Sequence, residues 1–168
     1  IREGYFAWSC RTDGTQNSPG AASDGELYFI TALIFASNRW GDDTGINYKA
    51  EAQRILNCTM PKEYEAPRGG FGFGGFGGGQ QQQNAAPQKQ RMFLINPDSK
   101  LITFTPDGGG QTYTDPSYHI PAFYEVWAKW ADDGRADYWN ECAAKSREFL
   151  HKAINEKTGL NPDMCQFD

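Results

Sequence analysis

Residues 23–41, which read SDGELYFITALIFASNRWG, decide the fold. The first four match a capping box, in which Ser23 caps a helix and the Glu26 side chain reaches back to it. Apolar side chains then follow on nearly every side of the helix until Arg39, and this pattern predicts a helix that is buried on most sides. Gly41 supplies the residue that most often ends a helix.

Three further helices are predicted from the spacing of apolar residues. They cover residues 47–59, which Pro61 closes, a stretch that starts at Pro121, and residues 137–155. The first of these has one apolar stripe and one polar face, which is typical of an outer helix packed beside a buried one. Two such pairs predict an all-α fold of the helical-hairpin type, with long loops and a short strand at residues 101–104.

The composition excludes several classes of partner. The chain has 168 residues, with 16 Lys and Arg against 21 Asp and Glu, and a formal net charge of −5. A mildly acidic chain lacks the positive charge that holds a polyanion, so we expect neither nucleic acid nor an anionic membrane surface as partner. No apolar run approaches the roughly 20 residues of a membrane span, and no signal peptide is visible.

The chain starts at Ile1 inside an aromatic pattern, so we expect it to be processed or cut from something longer.

Residues 67–90 differ in composition from the rest of the chain. Glycine occupies eight of the eleven positions from 69 to 79, and a run of glutamines follows. Ordering such a stretch costs entropy that no buried area offsets, so we expect a flexible surface insert within a single partial domain, residues 1–168. Arg-Gly-Gly and Phe-Gly repeats also occur in RNA-binding segments, but a single Arg is too few for that role.

Neither metal nor cofactor chemistry has a signal in the sequence. The four cysteines form no CxxC pair and the two histidines lie far apart, so we expect no zinc site; the cysteines are Cys10, Cys58, Cys142 and Cys165. We expect free, buried thiols rather than disulfides, although four cysteines allow three pairings and leave the redox compartment open. The glycine-rich stretch lacks the ending of a phosphate-binding loop, and no nucleotide fingerprint is present.

Two loops carry the residues that are unusual for a helical core. Residues 5–24 and 113–121 each precede an inner helix, so both should open at the same end of a bundle. Together they present Tyr5, Phe6, Trp8, Asp24, Asp115, Tyr118 and His119. Flat rings stack on the apolar faces of sugars and carboxylates accept hydrogen bonds from hydroxyl groups. A neutral, polyhydroxylated ligand is therefore predicted.

Each of these residues also has a purely structural interpretation. Asp24 at a helix start can offset the helix dipole, which stabilises a helix by about 0.3–1 kcal/mol. In a functional role the same dipole favours a negative charge, so Asp24 would stabilise developing positive charge rather than donate a proton. Tyr118 and His119 can simply pack against the start of the third helix.

Seven motifs follow one another along the chain: GYFAWSC at residues 4–10, SPG at 18–20, DGELYF at 24–29, FASNRWG at 35–41, DPSYHIPAFYE at 115–125, FLH at 149–151 and KTGL at 157–160. In their order and spacing, these motifs resemble glycoside hydrolase family 8. Within the family, the reducing-end xylose-releasing exo-oligoxylanases are the most similar. The similarity covers nearly everything except the insert.

The resemblance implies a middle fragment of an (α/α)6 barrel, with about four of its twelve helices, and hence a partial catalytic domain. It implies an inverting hydrolysis of β-1,4 bonds in xylo-oligosaccharides that releases xylose from the reducing end. Asp24 would lie at the cleavage subsite and hold the distorted sugar, Tyr118 would bond the attacking water, and Trp8 would stack on a sugar. No cofactor is implied.

The general acid and the general base of the family lie in regions outside this chain. Glu3-Gly4 abuts the next motif too closely to be the acid, which in the family lies more than a helix earlier. General acid–base assistance contributes about 10²–10⁴-fold to a rate, so we expect the isolated fragment to be inactive.

Two alternative functions stay open. One is an endo-acting glucanase or xylanase of the same family. The other is a non-catalytic helical module that binds carbohydrate, which the aromatic residues and the missing carboxylates would equally fit. The sequence leaves the oligomeric state open, and it does not distinguish the bacterial cytoplasm, the periplasm and secretion.

Overall fold

The computed structural model describes residues 4–18, 20–65 and 89–167, and it confirms the four predicted helices. Two short 3-10 turns, Gly108–Thr112 and Pro116–Tyr118, precede the third helix. The helices and strands are α1 (Ser23–Trp40), α2 (Tyr48–Thr59), β1 (Lys62–Glu65), β2 (Lys89–Met92), β3 (Tyr113–Thr114), α3 (Pro121–Trp130), α4 (Ala136–Ala153) and β4 (Cys165–Gln166).

The helices pack as two pairs, α1 with α2 and α3 with α4, and α1 also contacts α3. Leu27 and Ile30 of α1, Leu56 of α2, Trp127 of α3 and Trp139 of α4 are fully buried where the helices meet. The Trp127 indole donates a hydrogen bond to the Thr31 hydroxyl at 2.9 Å, which joins the two pairs. The predicted arrangement of paired helices is therefore confirmed.

The start of α1 differs from the predicted capping box. Ala22 occupies the cap position and provides no side-chain bond. Ser23 is instead buried, with its hydroxyl 3.4 Å from that of Thr103, and Glu26 accepts a bond from the backbone of Phe6. The capping-box prediction is wrong because partners from distant loops outcompete the local ones. The predicted end at Gly41 is confirmed, at φ 79°, with its N–H bonded to the Ser37 carbonyl.

One side of α1 is less buried than its sequence predicts. Tyr28, Phe29, Phe35 and Trp40 are each about half exposed, with relative accessibilities of 57%, 48%, 50% and 61%. We call these four residues the open face of α1. The prediction of burial on most sides is wrong for the described part of the chain. Each of the four rings contacts a described aromatic ring, that of Phe123, Phe6, Trp130 or Tyr48, and still leaves about half of its surface exposed.

The sheets are small and sit outside the helix pairs. Strands β1 and β2 form an antiparallel hairpin in which Lys62 pairs with Met92 and Glu65 with Lys89, and β3 pairs with β4. Residues 101–104, predicted as a strand, make only an isolated bridge between Ile102 and Ile95. The predicted insert at 67–90 falls mostly on residues 66–88, outside the described residues, and stays a prediction.

The cysteines and the hydropathy add two findings. All four thiols are free, as predicted, but the prediction that they are buried is confirmed for Cys142 alone: Cys58 and Cys165 are half-buried and Cys10 is exposed. Within the described ranges, no helix is long and apolar enough to cross a membrane.

Candidate active site

The predicted site residues Asp24 and Tyr118 lie just before or at the starts of α1 and α3, within electrostatic range of each other. Asp24 lies in the first turn of α1, and Tyr118 ends the 3-10 turn that precedes α3. The charge of Asp24 acts on the Tyr118 hydroxyl. The segments that precede α1 and α3 therefore bring Asp24 and Tyr118 within electrostatic range.

The turn that carries Tyr118 follows directly from its sequence. The Asp115 carboxylate accepts a hydrogen bond from the backbone N–H of Ser117 at 2.8 Å, and Pro116 fixes the first position of the turn. The N–H of Tyr118 then donates to the Asp115 carbonyl at 3.0 Å. Asp-Pro-Ser thus builds a tight local turn that aims the side chain of Tyr118.

The Tyr118 ring lies in a stack of three aromatic rings. It stacks on Phe104 with a centroid distance of 5.6 Å and an interplanar angle of 5°. Phe104 stacks in turn on Tyr113, at 5.1 Å and 25°, and its backbone N–H is bonded to the Gly110 carbonyl at 3.0 Å. The stack restricts the ring to one plane. Phe104, which lies in the stretch predicted as a strand, was not among the predicted site residues.

Tyr118 keeps its proton at neutral pH. Burial, together with the charges of Asp24 and Asp115, raises the pKa of Tyr118 to about 12. A protonated phenol both donates and accepts a hydrogen bond. The group is therefore suited to hold a water molecule or a sugar hydroxyl, and it is not a base.

His119 fixes the turn that carries Tyr118 through contacts with β3 and α4. Its Nδ1 lies 2.9 Å from the Ser146 hydroxyl of α4, its Nε2 lies 2.9 Å from the Thr114 hydroxyl, and its ring stacks on Phe149 at 4.4 Å. Burial lowers the pKa of His119 to about 4, so the ring is neutral at neutral pH. His119 thus has the packing role given as its structural interpretation. No sequence signal pointed to Ser146.

Trp8 lies in the loop that precedes α1. Its backbone N–H donates to the Gly20 carbonyl at 3.0 Å, and its side chain is 55% exposed. A β-carbon at Gly20 would come to 3.8 Å from the indole ring. The exposed indole is fixed at its backbone, which is the geometry that stacking on a flat ligand requires.

Glu26 lies next to this loop and has a role that the sequence did not reveal. Its Oε1 accepts a hydrogen bond from the Phe6 N–H at 2.7 Å. Its Oε2 and the Tyr5 hydroxyl are both buried without a hydrogen-bond partner among the described residues. Burial raises the pKa of Glu26 to about 7. The only signal in the sequence was a glutamate at the position of a capping box.

The described residues show no donor set for a metal. No group of three or more His, Cys, Asp or Glu side chains within 4–18, 20–65 and 89–167 is placed to hold an ion. The chemistry that this end of the molecule supports is that of a carboxylate, a neutral phenol and an aromatic ring.

Comparison with known proteins matches this segment to larger enzymes. No family model matches the chain. The chain is 39% identical over 170 residues to the reducing end xylose-releasing exo-oligoxylanase of Halalkalibacterium halodurans, and the match covers 100% of this chain and 37% of that enzyme. Endoglucanase C of Ruminiclostridium cellulolyticum is more distant, at 27% identity over 165 residues.

The solved structures give the same result for the fold. A variant of Rex8A from Paenibacillus barcinonensis complexed with xylose superposes with a TM-score of 0.75 and 36% identity, over 98% of this chain and 37% of that one. Another Rex8A variant, complexed with an arabinofuranosyl-xylotetraose, has a TM-score of 0.74.

These matches confirm the resemblance to family 8 and the prediction of part of an (α/α)6 barrel. The chain spans little more than a third of the length of these relatives.

Proposed function

We propose that this homologue of family 8 glycoside hydrolases is part of an inverting enzyme that releases xylose from the reducing end of β-1,4-xylo-oligosaccharides. The observation that carries the proposal is that the charge of Asp24 acts on the hydroxyl of Tyr118, which stays protonated at neutral pH. The higher identity to the exo-oligoxylanase than to the endoglucanase supports the exo-acting form.

Asp24 stabilises the sugar at the bond that is cleaved. The transition state of glycoside hydrolysis carries positive charge on the sugar ring. The N-terminus of α1 favours a negative charge on Asp24, and a fixed carboxylate close to the ring lowers the energy of that transition state. Asp24 acts as a charge and a hydrogen-bond acceptor, and it does not transfer a proton.

Tyr118 positions the attacking water. Its phenol stays protonated through neutral pH, and its ring is held in the stack on Phe104. A water that is bonded to a fixed hydroxyl group loses little further freedom on the way to the transition state. In an inverting enzyme this water lies between the sugar and a general base, and the carboxyl groups of acid and base are roughly 6.5–9.5 Å apart.

Trp8 completes the site by binding the neighbouring sugar. Its exposed ring offers an apolar surface to the flat face of a xylose unit. The proton-transfer carboxylates are supplied by residues beyond the matched segment. The isolated chain is therefore expected to bind a xylo-oligosaccharide weakly and to hydrolyse it negligibly.

The proposal is tested on the full-length protein that carries this chain, with xylohexaose labelled by ¹³C at its reducing-end anomeric carbon. The expected first product is labelled xylose, with unlabelled xylose appearing only in later rounds. Proton NMR should show the new reducing end of the shortened oligosaccharide in the α form first, because inversion converts a β-linkage into an α-product.

Other product patterns separate the alternatives. Labelled xylobiose and xylotriose as first products would assign an endo-acting enzyme, which the endoglucanase homologue makes the second candidate. Quenching of tryptophan fluorescence by xylotriose without any product would contradict hydrolysis and favour a binding module.

A further inference from the structure

Glu26 binds the backbone of the loop that carries Trp8. The Phe6 N–H donates to its Oε1 at 2.7 Å, across 20 residues of sequence. The Phe6 ring packs on Phe29, one turn after Glu26, at a centroid distance of 4.4 Å. The first two turns of α1 therefore hold Phe6 by its backbone and by its ring.

Trp8 follows two residues later and is fixed at a second backbone point. Its N–H donates to the Gly20 carbonyl. The segment from Phe6 to Trp8 is thus bonded at Phe6 to α1 and at Trp8 to Gly20, in the segment that leads into α1. Loss of the bond at Phe6 removes the attachment to α1 that lies on the N-terminal side of Trp8.

The burial of Glu26 argues against a role in stability alone. The residue is 1% exposed, and its Oε2 has no hydrogen-bond partner among the described residues. A buried carboxyl group with an unsatisfied oxygen costs free energy that an apolar side chain of similar size avoids. We therefore infer that the hydrogen-bond acceptor of Glu26 is needed at this position.

The groups that face Glu26 come from the loop, α2 and β1. Burial raises the pKa of Glu26, and the Phe6 N–H, Arg54 of α2 and Lys62 of β1 oppose that rise. The Tyr5 hydroxyl faces the same carboxyl group, and burial together with the Glu26 charge raises the pKa of Tyr5. A hydrogen bond to a charged carboxylate is roughly twice as strong as one to a neutral acceptor.

We propose that Glu26 is a positioning residue, whose carboxyl group clamps the backbone of Phe6 to the first turn of α1 and so holds the Trp8 ring at the mouth of the site. The role of Trp8 in this inference rests on the proposed function. The clamp itself is testable without any substrate.

The clamp is measured by amide hydrogen exchange at Phe6 in the full-length protein. Glu26→Ala removes the acceptor and should speed the exchange by roughly 10–100-fold. The net free energy of a hydrogen bond to a charged group corresponds to a factor of that size in the opening equilibrium. Glu26→Gln keeps a neutral acceptor at the same place and should speed the exchange by only roughly 3–10-fold, because it keeps about half of the free energy of the bond. After correction for intrinsic rates, protection in the wild type should rise through pH 7 while the Gln variant stays constant. Equal exchange in wild type and Ala variant would overturn the clamp.

The consequence for Trp8 is measured by kinetics on xylohexaose. Glu26→Ala should raise KM about tenfold and leave kcat within about threefold, as Trp8→Ala should, and Glu26→Gln should restore the wild-type KM. Glu125→Ala, on the exposed outer side of α3 where Glu125 pairs with Arg147 at 2.8 Å, is the control and should change neither constant. A purely structural Glu26 would lower the melting temperature of the Ala variant with KM unchanged, and that result contradicts positioning. If the wild type releases no xylose, the proposed function fails, and the exchange measurement still decides on the clamp.

Discussion

At the scale of the residue, Asp24 can be separated from a helix-capping charge by a matched variant. Asp137 is also an acidic residue in the first turn of an 18-residue helix, α4. Both Asp24→Asn and Asp137→Asn should cost about 0.3–1 kcal/mol of stability through the helix dipole. In the full-length protein only Asp24→Asn should also lower kcat, by roughly 10²–10³-fold. Equal activities of the two variants on xylohexaose would leave Asp24 with the structural role alone.

Tyr118 offers a similar comparison within its own stack. Tyr118→Phe removes the hydroxyl but keeps the ring on Phe104, so the melting temperature should change little. The loss of the group that orients water should lower kcat about 10²-fold. Tyr113→Phe makes the same change on the other side of Phe104 and should retain full activity. An active Tyr118→Phe enzyme would assign the positioning of water to another residue.

His119 predicts how stability depends on pH. Its pKa in the folded protein, about 4, lies below the ordinary value of 6.5. The stabilisation by the neutral ring is therefore complete above pH 6.5 and is lost as the pH falls toward 4, by an amount on the order of 3 kcal/mol.

This dependence is measured by urea unfolding between pH 4 and 7. His119→Gln should remove that part of the pH dependence, whereas His151→Gln, at an exposed position of α4, should leave it in place. A His119→Gln variant with the full wild-type dependence would show that other groups cause it.

At the scale of the element, the turn at residues 108–112 supports the three-ring stack through Gly110. A β-carbon at Gly110 would overlap the Thr105 hydroxyl and lie 2.9 Å from the Thr105 backbone nitrogen, whereas one at Gly109 would meet nothing within 4 Å. Gly110→Ala should therefore destabilise the protein by about 1–3 kcal/mol and displace Phe104, and Gly109→Ala should not. Thermal unfolding and the near-ultraviolet circular dichroism of the aromatic stack measure the two effects. Equal behaviour of the two variants would contradict the close contact.

The elements also show what the sequence could and could not predict. Periodicity predicted all four helices, and Asn47 and Gly41 marked their ends, because both signals are local. The cap at Ser23 and the strand at residues 101–104 were wrong for one shared reason. Thr103 bonds to the carbonyls of Phe93 and Leu94 and lies against Ser23, 80 residues away. Such a contact between distant segments has no signature in either segment.

Some residues of the candidate site could be predicted from the sequence, and others could not. Asp24, Tyr118 and Trp8 stand in motifs whose resemblance to a family pointed to them. The clamp at Glu26 and the bonds of His119 join a loop to a helix through side chains that have no distinctive spacing. These supporting contacts became visible only in three dimensions.

At the scale of the whole molecule, the open face of α1 predicts self-association of the isolated 168-residue chain. Four half-exposed aromatic side chains on one helix favour contacts between copies. The double variant Phe29→Glu and Phe35→Glu should lower the associated fraction in sedimentation velocity. The double variant Ala50→Glu and Ala122→Glu adds the same charge at exposed positions of α2 and α3 and should not. A wild-type chain that stays monomeric at all concentrations would contradict the prediction.

The β1–β2 hairpin has a consequence for protein engineering. Because Glu65 at the end of β1 pairs with Lys89 at the start of β2, the segment between these two residues begins and ends at points about 5 Å apart. We therefore expect the helices to tolerate changes in the length and content of the polypeptide between those points. A reporter domain whose own termini lie close together could be inserted there, or new termini opened for a circular permutant, with the end of the molecule that carries Asp24 and Tyr118 left as it is.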